Sequence, residues 1–486
     1  MSVPTPAGGG TAAADDGGTA AAAVSSAGGV RADAADPGVL TRTLRFLTAT
    51  PVVAGAVVAV LIAGGILAYP WFLAPFAGRS GSGAQPVVER TGEPDAPGGP
   101  PAGEATSGPP AGAVPVFTNA VPPMPAVTAT AELGPIPQHP RVSARDNGQS
   151  VRYADRSVWI FADTRFRNPF GFLSNSGAVT TDLTAGDGIT LTSTNPFTGD
   201  TAGDPVELIP RTETERQFEV AHGAARKCLA AEDPYCGVQF AFWPGAVAAD
   251  PARGRILIFY HKLCRGGAAG TPCSGLLGKA LGSGVAVLDM RSQRVARLAA
   301  TGRATASSLE GPDPTIFFPP GTEFTAAALT VGQTAYVYGA CTYLGCKVAR
   351  VQLAEIGDRS AWTFFTGRDR AGTDRWSSDP GRSVNTVAAG AAGHTVLWNP
   401  ALRCFMNVLL PYGINRAEFQ VGGSPFGPWS RTRPLVDTAP GATGPNYALF
   451  AHTEYAERDG LVQYVSYYQP ETGHQRLVRI MFEPGR

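Results

Sequence analysis

Residues 145–166 read RDNGQSVRYADRSVWIFADTRF: two β-type runs around a short polar turn, with an aspartate near each outer end, Asp146 and Asp163. If the turn is the two-residue Ala154-Asp155, antiparallel pairing sets Asp146 opposite Asp163. Directly opposed side chains have Cβ atoms about 5 Å apart, close enough for each charge to perturb the other's pKa. A slip of one residue in the turn sends the two carboxylates to opposite faces. The chemistry expected of this stretch therefore depends on its register.

The pattern of this hairpin, a short strand, a turn and a strand of branched and aromatic residues, recurs downstream. It is seen again in GAVAADPARGRILIFYHK, FTAAALTVGQTAYVYGAC, HTVLWNPALRCFMNVLLPYG and YALFAHTEYAERDGLVQYVSYYQ, making five imperfect copies in all. More polar stretches such as GVAVLDMRSQRVARLA, KVARVQLAEIG, EFQVGGSPFGPWSRTRPLVD and HQRLVRIMFE follow them and supply outer strands. Short β-rich runs between turn residues, with almost no amphipathic helix, indicate an all-β domain. Radial repetition of such units closes off exposed sheet edges, so residues 136–486 are expected to form a five-bladed β-propeller.

The preceding residues differ in kind. Residues 1–45 are mainly Ala, Gly, Ser and Thr with a few acids, and read as a disordered cytoplasmic tail. No charge occurs between Arg45 and Arg79, and residues 51–68 run PVVAGAVVAVLIAGGILA. Residues 46–76 are thus expected to be a single transmembrane helix, with Tyr69, Trp71 and Phe72 at the far interface and Pro70 ending the helix. A cleaved signal peptide is the alternative; the long preceding tail and long apolar run favour the anchor. Arg42 and Arg45 before the span orient the C-terminal domain outside the cell. Residues 77–135, rich in Pro and Gly, read as a spacer.

All seven cysteines lie beyond residue 227, and six form short-range couples, Cys228 with Cys236, Cys264 with Cys273 and Cys341 with Cys346. Such couples suit disulfides of an exported domain, against the alternative of seven buried thiols in a reducing compartment. Cys404 is left over in the apolar run CFMNVLLPY. A net charge of zero with 16% charged residues argues against a nucleic-acid partner. The six histidines show no metal-site spacing, so neither metal nor cofactor is expected, with an axial structural ion left open.

The five hairpins, the outer-strand Gly427-Pro428-Trp429 and the opening RDNGQS...WIFADT together resemble the five-bladed propeller glycoside hydrolases related to arabinanases. The likeness is strongest to an actinobacterial branch that includes endo-D-arabinanases of cell-wall arabinan, and it covers residues 136–486. It implies a membrane-anchored, extracytoplasmic hydrolase of a cell-envelope polysaccharide, with the catalytic acids at Asp146 and Asp163. In the wider group a glutamate on a later blade, often followed by Gly-Pro, is the acid; Glu310-Gly311-Pro312 matches that tripeptide, while Glu323 lies nearer the start of the third hairpin and ranks slightly above it. Hairpin starts supply further substrate-binding candidates: Arg145, Trp243, His394, Asn446 and Tyr447. Each also has a bland reading: Trp243 as core, His394 as a structural histidine, Asp163 as a strand cap and Asp146-Asn147-Gly148 as a turn. The same fold also serves non-catalytic carbohydrate-binding or envelope-scaffolding modules. A sialidase is the weaker reading, since the sequence shows neither an S-x-D-x-G-x-T-W repeat nor an obvious triad of arginines.

Overall fold

A computed structural model of the chain describes residues 115–485, except 168–169, 192–204, 224–228, 230, 276 and 442–443. All described residues belong to one compact unit. The expected tail and transmembrane helix, and the spacer up to residue 114, lie outside the described residues. Among the described residues no helix is long and apolar enough to cross a membrane.

Five antiparallel sheets follow one another along the chain, one per expected hairpin, and form a five-bladed β-propeller. Blade 1 starts with Val142–Tyr153 and Arg156–Phe166. Its next position is shared by Gly171–Leu173 and Ser176–Thr180, which pair with opposite ends of the second strand. Blade 2 consists of Gln239–Asp250, Arg255–Arg265, Lys279–Asp289 and Arg294–Arg297. Blade 3 begins with Ala327–Val331, Thr334–Thr342 and Gly345–Gln352, and blade 4 with His394–Asn399, Cys404–Leu409 and Arg416–Gly422. Blade 5 takes Tyr447–Ala451, Val462–Gln469 and His474–Glu483 from the C-terminal end of the chain.

Its fourth strand is Ala126–Pro135, which pairs with His474–Glu483. The propeller therefore begins before residue 136, and part of the expected spacer is a strand. The segment AVTATAELGP lacks the large apolar residues of an inner strand because, as an outermost strand, it stays mostly exposed. Joining the first strand to the last sheet closes the ring and covers an edge that would otherwise template aggregation. Before that strand, Phe117 packs edge-on against Tyr336, Phe405 and Phe426 between blades 3 and 4, and the Thr118 amide donates to the Gly423 carbonyl at 2.9 Å. This contact lies at the end of the propeller that carries the first hairpin turns.

The second strands read as unbroken apolar runs because both of their faces are buried between blades. In blade 1, Val158 and Ile160 pack toward blade 2 while Trp159 and Phe161 pack toward blade 5. In blade 2, Ile256 and Ile258 face blade 1, and Leu257 and Phe259 face blade 3. Two further clusters fill the junctions between blades 3 and 4 and between blades 4 and 5. Burying each such side chain contributes about 1.5–3 kcal/mol, so these interfaces hold the ring together. Around the axis the inner strands approach closely: a Cβ at Gly245 would lie 2.1 Å from the Thr325 carbonyl oxygen.

Sequence reading expects almost no helix, yet Glu213–His222 is one. Thr212 caps it, its hydroxyl accepting from the Glu215 amide, and the Glu215 carboxylate accepts in turn from the Thr212 amide, so the T-x-x-E signature was legible. Two of the three expected cysteine couples are disulfides, Cys264–Cys273 and Cys341–Cys346, and Cys404 is a buried thiol. Cys236 is disulfide-bonded, and Cys228 lies outside the described residues.

Candidate functional site

The first hairpin brings the two aspartates to one end of the axis, but not as the directly opposed pair expected, because register shifts on both sides of Asn147 leave Asp146 and Asp163 unpaired in the ladder. Tyr153 pairs with Arg156, so the turn is the two-residue Ala154-Asp155, with Ala154 at φ +54°. Arg145 pairs with Thr164, and a bulge separates this pair from Asn147 with Phe161. The bulge puts Asn147 at φ +64° and Gly148 at φ +90°, and such bulges re-aim side chains beside functional sites. The Asn147 side-chain amide donates to the Pro244 carbonyl of blade 2, fixing the bulge in place.

Asp146 and Asp163 interact through their charges but have different partners. Asp146 Oδ2 accepts a 2.9 Å hydrogen bond from the Tyr447 hydroxyl, while its Oδ1 is buried with no hydrogen-bond partner. Burial, reinforced by the nearby charge of Asp163, pushes the Asp146 carboxyl up to about 7; the Tyr447 hydrogen bond and the Arg265 charge oppose this. Asp163 accepts from Trp243 Nε1 at 2.8 Å on Oδ1 and from Arg265 Nη1 at 2.8 Å on Oδ2. Burial raises the pKa of Asp163 too, and Arg265 and Trp243 pull it back down. Its side chain remains 20% exposed, so a ligand can reach it. A carboxyl ion-paired to guanidinium is the charged member of such a pair, which leaves the proton near neutrality on Asp146.

Arg265 lies beneath Phe172, whose ring centroid is 4.6 Å from the guanidinium carbon, and near Trp243 at 5.5 Å. Across blade 2, Trp243 pairs with His261, whose Nε2 hydrogen-bonds the Thr325 hydroxyl. Burial lowers the His261 pKa, opposed by the charge of Glu323. Glu323 is half-buried on the approach to the inner strand of blade 3. An arc of polar residues thus runs from Tyr447 on blade 5, through the two aspartates, to Glu323.

Other candidates lie away from this arc. Arg145 is 2% exposed, packs over Phe161 at 4.7 Å and donates to Gln138, so Arg265 is the guanidinium that holds an aspartate. His394 is 1% exposed, beside Tyr338 and Cys346, with its pKa lowered to about 3 by burial. Asn446 is buried and ties Thr438 and Ala439 to blade 5. Glu310 belongs to a separate buried cluster in which Lys262 Nζ contacts Glu310, Glu215 at 2.6 Å and Asp313 at 2.8 Å. Those three carboxylates are close enough together to hold a metal ion, and the lysine ammonium supplies the cation there. Nothing in the local sequence around Arg265 marks it, because its role comes from a contact with Asp163 of blade 1. It ends a second strand, as Asp163 nearly does in blade 1.

The chain matches no protein-family model and no curated protein. Among solved structures it is similar to the GH43_1 enzyme of Xanthomonas citri complexed with xylotriose, at 14% identity over 74% of this chain and 90% of that one, with a TM-score of 0.37. An exo-β-1,3-galactanase of Phanerochaete chrysosporium shares 13% identity over 74% of this chain and 64% of its own, with a TM-score of 0.36. A GH43 β-1,3-galactosidase bound to galactodeoxynojirimycin shares 11% identity over 72% and 93%, also at a TM-score of 0.36.

Proposed function

We propose that this propeller is a glycoside hydrolase in which Asp146 is the general acid and Asp163 the charged carboxylate acting on the anomeric side. One observation carries the reading: two neighbouring carboxyls are held in different states, Asp146 with an unpartnered buried oxygen and Asp163 against Arg265. Glycoside hydrolysis needs one carboxyl to protonate the leaving oxygen and one carboxylate to act at the anomeric carbon or on the attacking water. Tyr447 orients the acid and Trp243 orients the carboxylate. Glu323 is the third acid of the arc. The resemblance of the first hairpin supports an arabinan-like polysaccharide of the cell envelope as substrate, reached from a membrane-anchored, extracytoplasmic position.

Incubating the purified full-length protein with arabinogalactan and other cell-wall glycans, and measuring new reducing ends, tests this. Asp146→Asn and Asp163→Asn should each lower kcat by about a hundredfold or more. Release unchanged by both substitutions would remove the pair from the mechanism. Binding without release by the unaltered protein would select the non-catalytic carbohydrate-binding module.

A further inference from the structure

The second strands of all blades end at the carboxylate end of the axis, so the loops that follow them surround the mouth. On blade 3 this loop is the tip between Thr342 and Gly345, which pair with each other. Its two tip residues, Tyr343 and Leu344, are 84% and 68% exposed. Tight turns favour Gly, Asn or Asp, and large apolar side chains here contribute nothing to the core. The Cys341–Cys346 disulfide braces the tip immediately below them. On blade 4 the equivalent loop carries Tyr412 and Ile414, both exposed. On blade 1 it carries Phe170, exposed, and the short strand Gly171–Leu173 that follows carries Phe172, which lies over the guanidinium of Arg265. The corresponding blade 5 turn, residues 470–473, is Pro-Glu-Thr-Gly.

Blades 3 and 4 are the two that do not adjoin blade 1. The apolar tips of blades 3 and 4 therefore stand across the mouth from blade 1, which carries Asp146 and Asp163. We infer that these loops form a carbohydrate-binding track across the mouth, on which a polysaccharide chain lies from Phe172 on blade 1 to Tyr343 and Tyr412 on blades 3 and 4. The inference rests on the glycoside hydrolase reading for its occupant and extends that reading to a polymer engaged on both sides of the scissile bond. The apolar face of a sugar ring carries C–H groups that pack against an aromatic face, and a tyrosine offers that face at little cost in side-chain entropy. The disulfide lowers this cost further by holding the blade 3 tip ready. Continuity supports the occupant, because Phe172 touches the arginine that holds Asp163.

The test compares full-length protein with a Tyr343→Ala/Tyr412→Ala double variant and with Tyr343→Phe, on arabinogalactan and on short oligosaccharides made from it. The double variant should raise KM on the polymer about tenfold or more, with turnover of the shortest substrates unchanged. Tyr343→Phe, which keeps the ring, should retain the polymer KM. Equal effects on polymer and short substrates, or none on either, would overturn the track. If the unaltered protein releases nothing from the polymer, the hydrolase reading has failed, and retardation in gels containing the same polysaccharide reads the track directly. Retardation lost in the double variant then supports the track without hydrolysis, whereas no retardation of the unaltered protein, or equal retardation of both, refutes it.

Discussion

Replacing Arg265 with glutamine removes the cation that holds Asp163 charged. Its Nη1 lies 2.8 Å from Asp163 Oδ2, and the arginine side chain is only 8% exposed, so water screens the pair weakly. An opposite charge at this range lowers a carboxyl pKa by about 1–3 units, each unit equivalent to about 1.4 kcal/mol. Without the arginine, Asp163 takes up its proton at higher pH. The acid limb of kcat/KM, which reports the carboxylate that must be ionised, should therefore move up by about 1–3 pH units. Asp146 also feels Arg265, though more weakly than it feels burial and Asp163, so the alkaline limb should move the same way by less. The bell narrows and shifts upward: activity is lost on its acid side, while at pH 8 it is kept or gained. Reducing-end release followed from pH 4 to 9 measures this, with Arg265→Lys expected to hold an intermediate position. A uniform loss at every pH with an unmoved acid limb would refute the idea that Arg265 acts through the charge of Asp163.

Two further outcomes follow from the buried charges. Asp146 titrates near 7 in the fold against an ordinary value of 3.8, so the folded state holds an extra proton between those values and loses stability as pH rises through that window. Asp146→Asn should relieve this by at most about 4 kcal/mol, making its gain in Tm over the unaltered protein larger at pH 8 than at pH 4; a pH-independent difference would contradict it. Lys262→Met leaves Glu215, Glu310 and Asp313 with Arg297 as their remaining cation, and should cost about 3–5 kcal/mol in thermal or urea unfolding, whereas an unchanged midpoint would show that the cluster is not held by the lysine.

The propeller was legible because each second strand advertises itself: SVWIFA and RILIFY are apolar on both faces only where a neighbouring blade lies on each side. The two-residue turn at Ala154-Asp155 is where the sequence puts it, with Tyr153 paired to Arg156. Ala126–Pro135 was not legible, because an outermost exposed strand needs no apolar pattern and is defined by a partner about 350 residues away in the chain. Within the site, Asp146, Asp163, Trp243 and Tyr447 could be found by aligning hairpins. Arg265 could not, since its meaning arises from a contact with blade 1 that no local spacing encodes. His394 and Asn446 share hairpin-start positions with Tyr447 but are buried, so position along a strand did not predict access.

The closing strand also settles how this propeller bears load. The chain arrives at the end opposite the mouth, is pinned by Phe117 between blades 3 and 4, and then rises along blade 5 as Ala126–Pro135. A pull on the residues before it is resisted first by that aromatic pin and then in shear, by many ladder hydrogen bonds at once, instead of unzipping them singly. The force passes through the outermost strand and leaves the inner strands, with the two aspartates, unstressed.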